Sequence, residues 1–296
     1  MTINLETQIK EIVIKEFTAL IENIEGDFKK NVIRKRNNFL LNQFDKRMIA
    51  YMVFVSSFES KSGNAIEACA KEIAKLRFGQ KNVPDIVNPN NIHLSAEVIS
   101  KIEAHSVHGG QVIVSNVNTD DADLRGKITQ FREANKASGR GTISGVTQSS
   151  IQELYDIAQN YIVDEIHIKP VDLAFYDGNH WTVTEIKAGG DLDSSNAPSN
   201  IDKLLTIYVG LNVRDAKIYF STLYNKNGEG NQWTGIAKKH MAYPEMFLIG
   251  SEFWNAILPG GIDFECFTKL YREALVDIKL NDRINSMIEE TLKNNA

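Results

Sequence analysis

Asp172, Glu185 and Lys187 are the chemically reactive side chains of a short segment that predicts a β-hairpin. Apolar and β-branched residues flank an Asp-Gly-Asn turn, which is a strong local signal for two paired strands. Side chains alternate between the faces of a strand, so Glu185 and Lys187 project the same way. If Gly178 and Asn179 form a two-residue loop, Asp172 lies directly across from Glu185. A loop centred on Asp177 and Gly178 would shift the register but keep Asp172 on the same face. A three-residue loop without a bulge would turn Asp172 to the opposite face.

Two neighbouring carboxylates repel each other, so a cation placed between them stabilises both. Magnesium prefers oxygen ligands and retains several waters, so Asp172, Glu185, the backbone carbonyl of Ile186 and a phosphate oxygen would suit it. The ion would polarise a scissile phosphate, and Lys187 would stabilise negative charge in the transition state. This constellation predicts metal-dependent hydrolysis of a phosphodiester. The alternative is an ordinary solvated strand, on which Glu-x-Lys is common.

The segments after the hairpin have the order of a known nuclease core. Residues 200–210 have apolar side chains at helical spacing before a terminal Gly210, and residues 216–222 predict a strand. Hairpin, helix and strand in this order resemble the core of the PD-(D/E)xK nucleases, although Pro170-Val171-Asp172 replaces a contiguous Pro-Asp. The resemblance implies an α/β fold, with a mixed central sheet flanked by helices and with helical N- and C-terminal extensions.

Glu67 is a further acidic candidate, in a segment predicted to be helical from Gly63 onward. It lies beside an apolar stripe that includes Ile66, Ala70 and Ile73. In nucleases that this chain resembles, a helix before the hairpin supplies such a glutamate to the metal cluster, as a ligand or as a support for one. An ordinary glutamate on a helix surface is the alternative.

Three sequence blocks make the resemblance more specific. They are Ser60 to Glu67, Lys169 to Asp172, and Glu185 to Asp193 followed by Asn196-Ala197-Pro198. Together they look like type II restriction endonucleases, most closely those of the TdeIII type, over residues 55–225. The resemblance implies that Asp172, Glu185 and Lys187 are catalytic, that Glu67 is auxiliary, and that the substrate is a short, near-palindromic, GGNCC-like DNA site.

The predicted organisation has three regions. Residues 1–55 form a helical N-terminal region, residues 56–225 form the catalytic core, and residues 226–296 form a mainly helical C-terminal region. A DNA-contacting insertion is expected around residues 106–150. At 296 residues and 43% hydrophobic composition, the chain is able to bury one large core, so one compact domain is expected.

The net charge of −5 does not by itself favour DNA, but local charge determines contacts with phosphates because salt screens charges beyond ~8–10 Å. Two basic regions are candidates, and either is alternatively a solvated helix face. The first comprises Lys29, Lys30, Arg34, Lys35, Arg36, Lys46 and Arg47. The second comprises Arg125, Lys127, Arg132, Lys136 and Arg140, with Asn116 and Asn118 nearby as candidates for reading bases.

Two isolated cysteines, Cys69 and Cys266, lack the spacing of a zinc site and predict reduced thiols. The N-terminus lacks the features of a secretion signal, and no segment is long and apolar enough to cross a bilayer, so a cytoplasmic location is expected. Cutting both strands of a near-palindromic site is simplest for a homodimer with two active sites. A structure-specific repair or recombination nuclease and a non-catalytic DNA-binding protein are the alternative functions.

Overall fold

The computed structural model describes residues 4–105, 110–138, 144–189, 192 and 194–293. The chain divides into two compact units. The first contains residues 1–73 and 259–296, and the second contains residues 74–258. The first unit thus contains both the first and the last segment of the chain. The prediction of a single compact domain stays a prediction.

The described part of the chain contains the following elements in chain order. The helices are α1 (Leu5–Arg36), α2 (Lys46–Phe78), α3 (Ala96–His105), α4 (Ala122–Ala134), α5 (Gln152–Ala158), α6 (Asn196–Leu211), α7 (Ser251–Ile257), α8 (Phe264–Asp277) and α9 (Leu280–Lys293). The strands are β1 (Ile86–Val87), β2 (Gln111–Val117), β3 (Ile162–Val171), β4 (Leu173–Tyr176), β5 (Trp181–Lys187), β6 (Lys217–Thr222) and β7 (Phe247–Ile249). Within these residues, no helix combines the length and the apolar character that crossing a membrane requires.

The regular secondary structure in the described part of the first unit is helical. Apolar residues of α1 recur at helical spacing and are buried, and Phe17 packs edge-on against Tyr271 of α8 with ring centroids 5.2 Å apart. Helix α2 is continuous from residue 46 to residue 78, so the boundary predicted at residue 55 falls inside a helix. Gly63 does not interrupt this helix, because a single glycine lowers helix stability only by ~1 kcal/mol.

The second unit contains two mixed sheets. In the first, β1 pairs parallel to β2, and β2 pairs antiparallel to β3. In the second, β4 pairs antiparallel to β5, while β5, β6 and β7 are parallel neighbours. Helix α6 makes the crossover between β5 and β6 that a parallel pair requires. The α/β fold class, with mixed sheets and flanking helices, is therefore confirmed.

The two sheets meet where the chain passes from β3 to β4 through Asp172. The buried side chain of Gln111 takes part in this junction: its amide nitrogen donates to the carbonyl of Ala174 at 2.9 Å, and its amide oxygen accepts from the backbone N–H of Ala174 at 2.8 Å. A side-chain amide thus makes the pair of bonds that a neighbouring strand would make. Asp172 consequently lies at a break between two sheets rather than inside a strand.

Helix α6 occupies the segment predicted to be helical but ends differently. Its C-terminal residue is followed by Asn212, whose φ of 53° is left-handed, a conformation that asparagine tolerates better than most residues. Gly210, predicted to be the stop, lies inside the helix, where a Cβ atom would approach the Thr119 methyl group to 3.4 Å. Strand β6 confirms the strand predicted over residues 216–222, whereas β3 was not predicted.

Candidate active site

The hairpin turn has the predicted two-residue loop. The backbone N–H of Asp177 donates to the carbonyl of His180 at 3.1 Å, and Gly178 has a φ of 100°, which glycine adopts without strain. The Asp177 carboxylate accepts from the backbone N–H groups of Asn179 and His180, both at 2.8 Å. This aspartate therefore fixes the loop length and, through it, the register of the two strands.

The observed register brings the two predicted carboxylates together. Leu173 pairs with Thr184, so the next position along places Asp172 beside Glu185. Asp172 Oδ2 accepts a hydrogen bond of 2.8 Å from the backbone N–H of Ile186, which holds this carboxylate against β5. Asp172 and Glu185 therefore approach each other as the alternation of the strand residues predicted.

Glu185 is fully buried, and Lys187 is its partner on the same strand face. The ammonium of Lys187 donates to Glu185 Oε1 at 2.7 Å. Burial raises the pKa of Glu185, and the negative charge of Asp172 raises it further, while two lysines act in the opposite direction. Burial and a neighbouring like charge thus raise the pKa of this carboxyl group, and such perturbed groups are frequent at functional sites.

The second of these lysines is Lys203, from helix α6, which the sequence analysis did not select. Its ammonium lies 2.6 Å from Glu185 Oε2 and 3.3 Å from Asp172 Oδ1, so it bridges both carboxylates. Burial lowers the pKa of Lys203, but the charges of Asp172 and Glu185 raise it by more, and the net shift is upward. Lys203 is therefore held as a cation at the point between the two acids.

One signal for Lys203 was present in the sequence. It lies between the buried residues Ile201 and Leu204, in the middle of the crossover helix that follows the strand carrying Glu185 and Lys187. A charged residue next to buried positions of such a helix is a candidate for contact with the adjacent sheet. The contact itself depends on how the helix packs on the sheet, and periodicity alone does not give that packing.

The residues present fit a divalent oxygen-preferring cation. Glu185 Oε2 is buried and makes no hydrogen bond with the described residues, because its close approach to Lys203 is ionic and lacks hydrogen-bond direction. Together with Asp172 Oδ1, it offers two oxygens to one cation. No group of three or more acidic, histidine or cysteine side chains suited to a metal occurs in the described part of the chain. A site with two carboxylates is nevertheless normal for magnesium, which retains waters.

The remaining predicted ligands are Glu67 and the Ile186 carbonyl. Glu67 lies in α2 within the first unit, whereas Asp172, Glu185 and Lys187 lie in the second unit. The metal-ligating role of Glu67 and that of the Ile186 carbonyl stay predictions.

Arg132, a predicted DNA contact, is turned inward. Its side chain is 5% exposed, and its guanidinium makes a two-pronged contact with Asp202, with Nε 2.6 Å from Oδ1 and Nη2 3.2 Å from Oδ2. Glu133 also pairs with it, and His240 Nδ1 lies 3.3 Å from Nη1. Arg132 therefore joins α4 to α6 and stabilises the fold, and its contact with DNA stays a prediction.

The other predicted DNA contacts already have partners within the chain. Arg125 pairs with Asp120, Lys127 lies 2.9 Å from Asp123, and Lys136 lies 3.3 Å from Glu133. The Asn118 side chain accepts from the backbone N–H of Asp120, and the Asn116 side-chain oxygen is buried without a hydrogen-bond partner among the described residues. Arg140 lies outside the described residues. Contact of these side chains with DNA therefore stays a prediction.

Comparison with known families places most of the chain in one family. The family model described as "Type II restriction endonuclease, HinfI" matches residues 1–274. No significant match was found among curated proteins or among solved structures. Type II restriction endonucleases are site-specific nucleases of double-stranded DNA, so the predicted enzyme class and substrate are confirmed, whereas the TdeIII type stays a prediction. Because the match covers most of the 296 residues, the chain belongs to the HinfI family of type II restriction endonucleases.

Proposed function

We propose that this restriction endonuclease cuts DNA by magnesium-dependent hydrolysis at a PD-(D/E)xK site formed by Asp172, Glu185 and Lys187. The observation that carries the proposal is that Asp172 Oδ1 and Glu185 Oε2 face the same point. In this structure, the ammonium of Lys203 occupies that point. Two buried or half-buried acids so close together require positive charge, and a nuclease supplies it as a metal ion.

Each residue has a defined role in this proposal. Asp172 and Glu185 bind the ion, with the Ile186 carbonyl as a third ligand and Glu67 as an auxiliary acid. The bound ion supplies Lewis-acid polarisation of the scissile phosphate and makes water a better nucleophile. Lys187, which donates to Glu185 at 2.7 Å, is placed to stabilise negative charge as the phosphodiester is attacked. Hydrolysis leaves a 5′-phosphate and a 3′-hydroxyl.

The finer features of the function follow from the same proposal. The recognition site is short and near-palindromic, with a GGNCC-like sequence as the narrower prediction from the resemblance to the TdeIII type. A homodimer cuts the two strands, and the enzyme acts in the cytoplasm. Contacts with DNA from Arg125, Lys127, Lys136, Arg140, Asn116 and Asn118 belong to this proposal.

Incubation of the purified protein with a plasmid and magnesium tests the function. Discrete fragments are the expected result, because a restriction endonuclease cuts at fixed sites. A smear or cleavage confined to branched DNA would indicate a repair or recombination nuclease instead. Absence of cleavage under all metal conditions would indicate a non-catalytic DNA-binding protein.

Replacing the ion tests the metal requirement separately. Magnesium or manganese is expected to support cleavage, whereas calcium is expected to permit binding with little turnover, because its looser coordination positions water poorly. The measurement is the rate of plasmid cleavage with each ion after removal of bound metals by a chelator. Full activity in the chelator would overturn the metal-dependent mechanism.

A further inference from the structure

The two acids of the site have one oxygen each that is already engaged. Asp172 Oδ2 accepts from the backbone N–H of Ile186, and Glu185 Oε1 accepts from Lys187. The two remaining oxygens, Asp172 Oδ1 and Glu185 Oε2, both face the ammonium of Lys203. A divalent ion bound by these two facing oxygens would occupy the position of the ammonium. The ion and the Lys203 ammonium therefore exclude each other.

We propose that Lys203 is a built-in counter-ion, which neutralises the metal-free site and is displaced when a divalent ion binds; this inference rests on the proposed metal-dependent function. The side chain of Lys203 is 44% exposed, and its four-carbon stem is flexible, so the ammonium has room to leave without a change in the helix. Lys203 thus competes with the ion for the oxygens of Asp172 and Glu185.

The proposal separates Lys203 from a lysine with a merely structural role. Loss of either kind of lysine destabilises the metal-free protein, because a buried Glu185 beside Asp172 loses a cation. Removal of a lysine that competes with the ion also raises the affinity of the site for the ion, whereas removal of a merely structural lysine does not. A lysine that assists the ion would give the opposite change in affinity.

Binding of magnesium or manganese alone, without DNA, tests this difference. The variant Lys203→Met removes the charge, Lys203→Arg keeps it, and Lys81→Met removes an exposed lysine elsewhere in the same unit. Ion affinity is measured by calorimetry at mildly alkaline pH, and thermal unfolding is measured in a chelator. Lys203→Met is expected to bind the ion about tenfold more tightly than the unmodified protein, equivalent to ~1.4 kcal/mol, and to unfold at a lower temperature without it. Lys81→Met is expected to change neither property.

Equal or weaker ion binding by Lys203→Met would overturn the role of Lys203 as a competitor. If that variant does not fold, Lys203→Gln provides the same test, because it removes the charge but keeps a polar side chain at this position. Failure of the unmodified protein and of both neutral variants to bind either ion would overturn the proposed metal-dependent function as well. The two ideas are therefore separable.

A second inference concerns a polar groove in the first unit, carried by different observations. The groove has a volume of about 650 Å³ and lies within the segment that contains α1 and the first part of α2. Its lining residues are Asp27, Lys30, Asn31, Arg34, Lys35, Asn38, Val53, Ser56, Ser57, Ser60 and Lys61. All but Val53 are polar or charged, so an apolar ligand, or the apolar face of a partner protein, would bury little apolar surface in this groove.

The positive charges of this groove are mostly uncompensated. Lys61 lies 3.6 Å from Asp27 and also bonds to Asn23. Lys30, Arg34 and Lys35 form no ion pair with any residue that the structure describes. Arg125 and Lys127, in contrast, are paired internally. The groove thus offers three free cations beside amide and hydroxyl donors.

We infer that this groove binds the phosphate backbone of duplex DNA. Phosphates accept from lysine, arginine, asparagine and serine side chains, and such contacts position a protein on DNA without reading its sequence. The one acid in the groove, Asp27, is already paired with Lys61. The enzyme's established substrate is duplex DNA, which is the anion that this arrangement fits.

The salt dependence of DNA binding in a chelator tests the inference without relying on the metal site. The groove variant is Lys30→Gln/Arg34→Gln/Lys35→Gln, and the control variant is Lys269→Gln/Arg272→Gln/Lys293→Gln, which removes three exposed cations from helices of the same unit. The slope of log affinity against log salt is expected to fall by ~2.7 for the groove variant, or ~0.9 for each single change, and to stay constant for the control. An unchanged slope for the groove variant, or an equal fall for the control, would overturn the inference.

Discussion

At the scale of single residues, substitution of Lys187 tests whether its ammonium stabilises negative charge in the transition state. Removing its ammonium with Lys187→Ala is expected to lower the cleavage rate about 10²–10³-fold, because one charge placed at the reacting group is worth ~3–4 kcal/mol. The fold is expected to persist, since Lys203 still pairs with Glu185. Single-turnover cleavage is the measurement, and Lys217→Ala, on the neighbouring strand β6, is the matched control. A rate equal to that of the control would make Lys187 an ordinary surface lysine.

The raised pKa of Glu185 has consequences for both activity and stability. Ion binding requires the ionised carboxylate, so cleavage is expected to increase as pH rises through this raised pKa, above the ordinary glutamate value of 4.5. For stability the sign is reversed. A raised pKa in the folded state means that the folded protein favours protonated Glu185. The contribution of this group to the free energy of unfolding is therefore complete below the pKa of the unfolded state. It is lost as pH rises through the pKa of the folded state.

Unfolding of Glu185→Gln as a function of pH measures this contribution. The variant is neutral at every pH, so its stability relative to the unmodified protein is expected to increase as pH rises above 4.5. A difference in stability that does not depend on pH would contradict the assignment of a raised pKa to Glu185.

The sequence placed Glu185 and Lys187 on one strand face, and it placed Asp172 across from Glu185 on the condition of a two-residue loop, which the structure has. Their roles in catalysis stay predictions. The contact of Lys203 was not predictable in this way. It depends on packing of a helix against the sheet, and no local rule of turn or strand specifies that distance.

At the scale of secondary-structure elements, the pair formed by Arg132 and Asp202 joins two helices of the second unit. Asp202→Asn removes the charge of one of the acids that pair with the buried guanidinium of Arg132. Breaking a fully buried ion pair in this way lowers the free energy of unfolding by ~3–5 kcal/mol. Because Asp202 is 26% exposed and Glu133 remains, we expect a loss of about 2 kcal/mol.

Urea unfolding measures this loss, and Asp156→Asn is the matched control. Asp156 pairs with Arg214 at 2.6 Å, but both side chains are about half exposed, at 56% and 48%, so the control is expected to lose much less stability than Asp202→Asn. Equal losses in the two variants would contradict the structural role assigned to Arg132.

Among the elements, those with strong local signals were predicted and those shaped by distant contacts were not. The hairpin, α6 and β6 follow from periodicity and turn residues. Strand β3 was missed because its residues are mostly half-buried or exposed and lack a continuous apolar face. The inward turn of Arg132 was missed because a basic residue on an amphipathic helix usually faces solvent, and its acidic partner lies 70 positions away in sequence.

At the scale of the whole molecule, the restriction function predicts a dimer on DNA. Two active sites related by a two-fold axis cut the two strands of a near-palindromic site most simply. Light scattering of the complex with a cognate duplex and calcium is expected to give two chains of 33.3 kDa per duplex. A mass with a single chain per duplex would contradict the dimer.

The most direct test of the account is DNA cleavage by Asp172→Asn, measured alongside its metal-free affinity for DNA. The substitution keeps the shape of the side chain and an oxygen for the Ile186 N–H, but it removes one charge of the site. Cleavage is expected to be nearly abolished, because a ligand of the ion is lost, while affinity in a chelator stays equal or rises, because repulsion of the phosphate falls. Substantial residual cutting, or loss of binding together with loss of the fold, would contradict the assignment of Asp172 as a metal ligand.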